Sequence, residues 1–300
     1  MFESIFGNDT IKAYLERALL EKRLPQTLLF SGPEGVGKSL FAKEIAAYLL
    51  QSLNSPDLHI LKPEGKSGLY AIDTLREMIE KEHAAAYQSS GKVFILEDVE
   101  RMQPAAANAL LKTLEEPTPD TTFILLCSST QEILLTILSR CTILHFHPIA
   151  EELIVAFLNK KQLPTHFAKK GQGSIGKALE LAERPDLEEQ RKILFRLLAQ
   201  KPSYPEMALQ LDKIENLLKE EENPLFLHRR VEYLFSYILM WHRDQHARAL
   251  GVEERLLFFP EEPACSPIPL TKAEKAIEKA RFAYMRNMKL SLCLKTAILK

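Results

Sequence analysis

Five short β-rich runs fill the first half of this chain: TLLFS at 27–31, DLHIL at 57–61, KVFILE at 92–97, TFILLC at 122–127 and TILHF at 142–146. Helical patterns separate them, and no further β-rich run follows residue 148. Such alternation predicts a parallel sheet with helices on both faces, since parallel neighbours need a crossover and a helix is the usual one. The packing faces can be read directly. Ile11, Leu15, Ala18 and Leu19 share a face of an opening helix at 10–22, behind Asn8 or Asp9 as cap. Phe41, Ile45, Tyr48 and Leu49 share one after the first run, and Ala107, Leu110, Leu111 and Leu114 share one after the third.

Past residue 148 the pattern is helical only. Three short segments at 150–161, 163–170 and 174–184 form a small module. Longer ones follow at 187–199, at 205–221 with Met207, Leu211, Ile214 and Leu218 on one face, and at 224–250, opened by Asn223-Pro224 and closed by Gly251. A loop with Pro260, Pro263, Pro267 and Pro269 precedes a last helix, announced by the capping box Thr271-x-x-Glu274. Three hundred residues exceed what one core usually organises. The predicted division is an α/β domain at 1–148, a small helical module at 149–185 and an all-helical domain at 186–300.

Charge narrows the function. With 39 basic and 40 acidic side chains the net charge is −1, which lacks the footprint of a protein that grips DNA alone by neutralising phosphates. Cys127, Cys141, Cys265 and Cys293 are scattered without C-x-x-C spacing, so neither a zinc site nor a disulfide framework is expected. The opening MFESIFGND does not read as a signal peptide, and no run of 18 apolar residues occurs. A cytoplasmic protein without membrane contact is expected.

The chemistry begins at SGPEGVGKS, residues 31–39. Gly32-x₄-Gly37-Lys38-Ser39 has the Walker A spacing, between a predicted strand and a predicted amphipathic helix. Its glycines, Gly35 included, let backbone N–H groups turn toward phosphate oxygens; Lys38 would bridge the β and γ phosphates, and Ser39 would reach Mg²⁺. The rival reading is an empty loop kept for packing. The third run ends in Glu97 and Asp98, at the carboxyl edge where open α/β sheets bind ligands. Either acid could organise Mg²⁺, and Glu97 comes first in the usual metal-binding place. As a general base Asp98 falls one methylene, about 1.5 Å, short of a glutamate, and misplacement near 1 Å can cost ~10²-fold in rate. Weak hydrolysis is the expectation, with a solvated strand end as the alternative. Ser139-Arg140-Cys141 precedes the fifth run; Arg140 could stabilise charge on a transferring phosphoryl group or form a surface ion pair.

RLPQTLLFSGPEGVGKS, AAANALLKTLEEP and ILSRC, in that order, resemble the bacterial clamp-loader branch of the AAA+ ATPases. The resemblance covers the first 185 residues and extends more faintly through WHRD at 241–244. It implies an AAA+ domain, a helical lid and a helical collar that joins subunits into a ring. It implies that Arg140 acts in trans on the next subunit's ATP site, that Ser128 holds the γ-phosphate-sensing position of the fourth strand, and that Ile5, Phe6 and Gly7 line the adenine pocket. For those three a hydrophobic staple is the competing reading. The implied cofactor is ATP or ADP with Mg²⁺. The implied partners are ATPase subunits of the gamma/tau type and a clamp-opening delta-type subunit, with the sliding clamp and primer-template DNA reached through the complex.

Departures from that pattern bear on the role. ATPase members carry a lid arginine where GSIGKAL has Gly176, and Lys177 next to it points about 100° away on a helix. The acids stand in the order Glu97 then Asp98, reversed from the usual one. The four-cysteine zinc module of many relatives is absent, no cysteine preceding Cys127. A ring subunit that holds still while neighbours hydrolyse is therefore expected. The alternatives are a hydrolysing motor and a nucleotide-switched adaptor outside replication; a small-molecule kinase fits least.

Overall fold

The computed structural model describes residues 1–63, 69–219, 224–252, 256 and 267–298. The chain folds as two compact units, Met1–Glu180 and Leu181–Lys300. The first contains α1 (Asp9–Leu20), β1 (Thr27–Ser31), α2 (Lys38–Leu50), β2 (Leu58–Leu61), α3 (Ile72–His83), β3 (Lys92–Leu96), α4 (Pro104–Glu115), β4 (Thr121–Cys127), α5 (Leu135–Leu138), β5 (Thr142–His145), α6 (Glu151–Lys160), α7 (Phe167–Lys170) and most of α8 (Ile175–Glu183). Short 3-10 turns at Val99–Arg101 and Thr130–Glu132 follow β3 and β4.

All five strands are parallel, in the order β2-β3-β4-β1-β5. Every residue of β1 and β3 is buried, and only Thr122 of β4 is partly open, as expected for inner strands covered on both faces. Alternate side chains divide the core. Leu29, Phe94, Leu96, Phe123 and Leu125 join Leu75 and Met78 of α3 and Leu110 and Leu114 of α4 in one cluster, within which the Phe94 and Phe123 rings stack at 5.0 Å. Phe30 points the other way, where Phe146 links it at 5.0 Å to Phe41 of α2, itself 5.1 Å from Phe146. An aromatic contact of this kind adds about 0.5–1.5 kcal/mol beyond area burial.

The second unit holds α9 (Pro185–Gln200), α10 (Tyr204–Lys219), α11 (Pro224–Ala249), α12 (Leu270–Met285) and α13 (Leu290–Ile298). The predicted stripe Met207, Leu211, Ile214 and Leu218 is buried in full. Arg230 of α11, almost wholly buried, pairs with Asp186 of α9 at 2.5 Å.

Several details differ from the sequence expectation. Asn8 occupies the N-cap position of α1 but its side chain caps nothing there. Instead its amide donates to the His147 carbonyl at 3.3 Å and accepts the His147 N–H at 2.8 Å, so the side chain satisfies a distant backbone segment. Tyr48 is exposed; Ala42 and Ala46 bring α2 against the sheet in its place. The predicted segment at 163–170 is helical only at Phe167–Lys170. No capping box forms at Thr271, because α12 starts at Leu270 with Pro269 in the cap position, which puts Thr271 inside the helix. The single last helix is two, broken where Asn287 adopts φ 61°. Asn223, Pro260, Pro263 and Cys265 lie outside the described residues.

Candidate nucleotide-binding site

Strand order decides what meets the glycine-rich loop. Register pairs Ser31 of β1 with Cys127 of β4, and the Gly32 N–H donates to the Cys127 carbonyl at 3.2 Å. On the other side the Phe146 N–H donates to the Ser31 carbonyl at 2.7 Å. The loop thus opens between the ends of β4 and β5. Glu97 and Asp98, at the end of β3, sit two strands from β1, with Ser128 at the end of the intervening β4.

Loop and helix have the form a phosphate requires. Gly37, at φ 101°, is the N-cap of α2, and no side chain caps that helix. Lys38 and Ser39 therefore open α2 with their N–H groups at its positive end. The Lys38 ammonium donates to the Gly32 carbonyl at 2.6 Å and to the Pro33 carbonyl at 2.8 Å. Burial lowers its pKa, against the opposing charges of Glu100, Glu34 and Asp98. This glycine cradle and its ammonium fit the phosphates of a nucleotide.

The acids divide. Glu97 pairs with Lys62 at 2.9 Å, and its carbonyl accepts the Tyr70 hydroxyl. Asp98 turns its backbone to φ 52°. Burial raises the Asp98 pKa, and Glu100, Glu34 and Glu97 push it the same way against Arg101. Ser128, the proposed sensor, is engaged: its N–H donates to Glu100 at 2.9 Å and its hydroxyl donates to the same carboxylate oxygen. Sequence reading passed over Glu100, although it is the third acid in LEDVE; nothing in spacing alone distinguished it from a solvated charge.

The helical segment after β5 meets the loop through backbone. The Gly176 N–H donates to the Gly35 carbonyl at 3.0 Å, and a Cβ on Gly35, whose φ is 75°, would lie 2.2 Å from Ser174 Oγ. That hydroxyl accepts the Lys177 N–H at 3.0 Å. The Lys177 side chain is desolvated, which lowers its pKa, and Glu34 and Glu180 act to raise it. Ile5 lies beside the loop, its Cγ2 3.6 Å from where a Cβ on Gly37 would stand. Phe6 packs edge-on against Phe157 of α6 at 5.5 Å, and Gly7 lies against Ile149. These three are thus gathered at the loop and the helices that follow β5.

Arg140 stands apart from this cluster. It follows α5, and its Nε and Nη2 donate to Glu115 Oε2 at 3.0 and 2.7 Å. Its Nη1 donates to the Thr136 carbonyl at 3.0 Å and to Ser139 Oγ at 3.3 Å. Glu115 stood inside the LEEP motif, but its pairing needed the fold. Among the described residues no three His, Cys, Asp or Glu side chains form a metal-holding group, and no helix is long and apolar enough to cross a membrane.

Comparison with known proteins fits this geometry. The fold matches a DNA polymerase III gamma subunit-related protein from Thermotoga maritima, with a TM-score of 0.53 at 18% identity, covering 95% of this chain and 96% of that one. The shared fold is a five-stranded parallel α/β domain followed by helices. A family model described as DNA polymerase III, delta subunit, matches residues 48–150. The Bacillus subtilis delta' subunit of DNA polymerase III is 29% identical over 269 residues, 81% of this chain and 78% of that protein. The tau subunit of the same organism is 33% identical over 176 residues, 53% of this chain but 31% of that one. These relatives are subunits of DNA polymerase III, or related to one, and this chain is similar to them over the spans given.

Proposed function

We propose that this chain is the non-hydrolysing member of a cytoplasmic clamp-loader ring in the replicative DNA polymerase III holoenzyme. It completes the ring beside gamma/tau-like ATPase subunits and a delta-like clamp-opening subunit. From there it supplies Arg140 in trans to a neighbour's ATP site, while the assembly places the sliding clamp on primer-template DNA. The carrying observation is the contact between Gly176 and Gly35, since a Cβ at 176 would stand 2.9 Å from the Gly35 Cα. That leaves no room for the arginine with which relatives sense the γ-phosphate. The reversed acids, with Glu97 held by Lys62 at 2.9 Å, support the same reading.

Gly32, Gly35, Gly37 and Lys38 would hold the phosphates of ATP or ADP, with Ser39 and Glu97 as partners of Mg²⁺. The bound cation would neutralise phosphate charge among Glu34, Asp98 and Glu100. Asp98 is the candidate base, impaired by its length, and Ser128 the sensor, impaired by Glu100. We keep the three-part organisation, 1–148, 149–185 and 186–300, with the last part as the ring-forming collar.

The test is nucleotide binding and ATP turnover by the purified chain. Binding or none, without turnover, supports a stator. A second reading, a hydrolysing motor, draws on the complete Walker A loop and on the similarity to tau; turnover by the isolated chain, abolished in Lys38→Ala, would establish it. Failure to co-purify with gamma/tau-like subunits would favour an adaptor outside replication.

A further inference from the structure

An exposed arginine that must act on a neighbour faces an orientation problem. Its side chain has four rotatable bonds, and each must be fixed before the guanidinium can meet developing charge at a distance of about 3 Å. Arg140 does not face this problem unaided. All three of its nitrogens already donate within the chain: Nε and Nη2 to Glu115 Oε2 at 3.0 and 2.7 Å, and Nη1 to the Thr136 carbonyl and Ser139 Oγ. Glu115 is the last residue of α4, whereas the other two acceptors belong to the turn that carries Arg140 itself. Among the described residues, only Glu115 therefore ties the guanidinium to a different element of the domain.

We propose that Glu115 is the positioning residue for Arg140: it sets the plane and reach of the guanidinium before a neighbouring subunit's phosphates arrive. The inference rests on the trans role of Arg140. Two features favour positioning over sequestration. The Arg140 side chain keeps 28% of its surface open and Glu115 keeps 57%, so water screens the pair and its attraction is weak. Among the described residues Nη2 donates to Glu115 alone, so its second hydrogen has no acceptor within the chain. A polyanionic phosphoryl group at a drier subunit boundary can engage that hydrogen, or replace Glu115, at little cost.

The experiment compares Glu115→Ala, Glu115→Gln, Arg140→Ala and the double variant in the complex assembled with gamma/tau-like and delta-like subunits. ATP turnover and its KM are measured, and assembly is checked by gel filtration. Glu115→Ala should lower kcat on the order of 10- to 100-fold, as misplacement near 1 Å does, and leave KM and assembly unchanged. Glu115→Gln, which keeps an acceptor oxygen, should recover part of that loss. The double variant should be no slower than Arg140→Ala. Unchanged or raised kcat in Glu115→Ala, with Arg140→Ala inactive, overturns the positioning role and leaves the trans role standing. Unchanged kcat in Arg140→Ala overturns both.

Discussion

Gly176 and Gly35 touch backbone to backbone: one donates its N–H to the other's carbonyl at 3.0 Å, across a gap that no side chain can enter. The helical segment after the sheet therefore closes on the glycine-rich loop at a place where ATPase relatives are expected to put an arginine. A missing residue in the sequence becomes, in the fold, a contact that requires its absence.

That contact predicts that Gly176→Arg will not convert the chain into an ATPase. The new Cβ, 2.9 Å from the Gly35 Cα, must push the segment off the loop, and overpacking of this kind costs about 1–3 kcal/mol. Urea denaturation should show the loss. An unchanged midpoint together with new turnover would mean that the two segments are free to separate.

Lys38→Ala should weaken binding of a fluorescent ATP analogue by about 10- to 100-fold, the worth of a hydrogen bond to a charged group. Equal binding by both proteins would show that the loop does not hold phosphate.

Glu100 and Asp98 are coupled through charge. Burial is the main reason that Asp98 titrates above the usual aspartate range, and Glu100 is the largest charge acting in the same direction. Glu100→Gln should therefore lower the Asp98 pKa, while its amide oxygen still accepts the Ser128 hydroxyl that Glu100 now accepts. Carbon-detected NMR titration of Asp98 reads the shift directly. No change would place Glu100 too far from Asp98 to matter.

Asp57 offers a pH test of the fold. Its carboxylate accepts the N–H groups of Tyr87, Gln88 and Ser89 at 2.6, 2.9 and 2.7 Å, and these bonds, prevailing over burial, hold its pKa at about 2. A pKa depressed in the folded state means stability that is present above the unfolded value, near 3.9, and lost as pH falls toward 2. Asp57→Asn should cost about 1.5–3 kcal/mol at pH 7, and the gap from the parent should close between pH 4 and 2. A gap independent of pH would contradict the assignment.

Periodicity carried most of the fold because its apolar positions have one place to go. The stripe Met207, Leu211, Ile214 and Leu218, and the faces Ile11, Leu15, Ala18, Leu19, are buried as predicted. Polar residues were harder to read, since each has several partners within reach. Asn8 stands at a cap position yet serves His147, and Thr271 lies inside the helix it was expected to cap. The site divides along the same line. Glycine spacing with Lys38 and Ser39 pointed, from local sequence alone, to a loop between β1 and α2, and the chain turns there. Lys62 on Glu97, Glu100 on Ser128 and Glu115 on Arg140 join segments 25 or more residues apart, and only strand order and helix packing bring them together.

The central claim, a still subunit that acts on its neighbour, is tested most directly by steady-state ATP turnover, first of the chain alone and then of its complex with gamma/tau-like and delta-like subunits, each with Arg140 and with Arg140→Ala. The account predicts no turnover alone, turnover on assembly, and a loss on the order of 10³-fold in the variant, the low end for an arginine finger. Turnover by the isolated chain, or an assembled complex indifferent to Arg140→Ala, would contradict it.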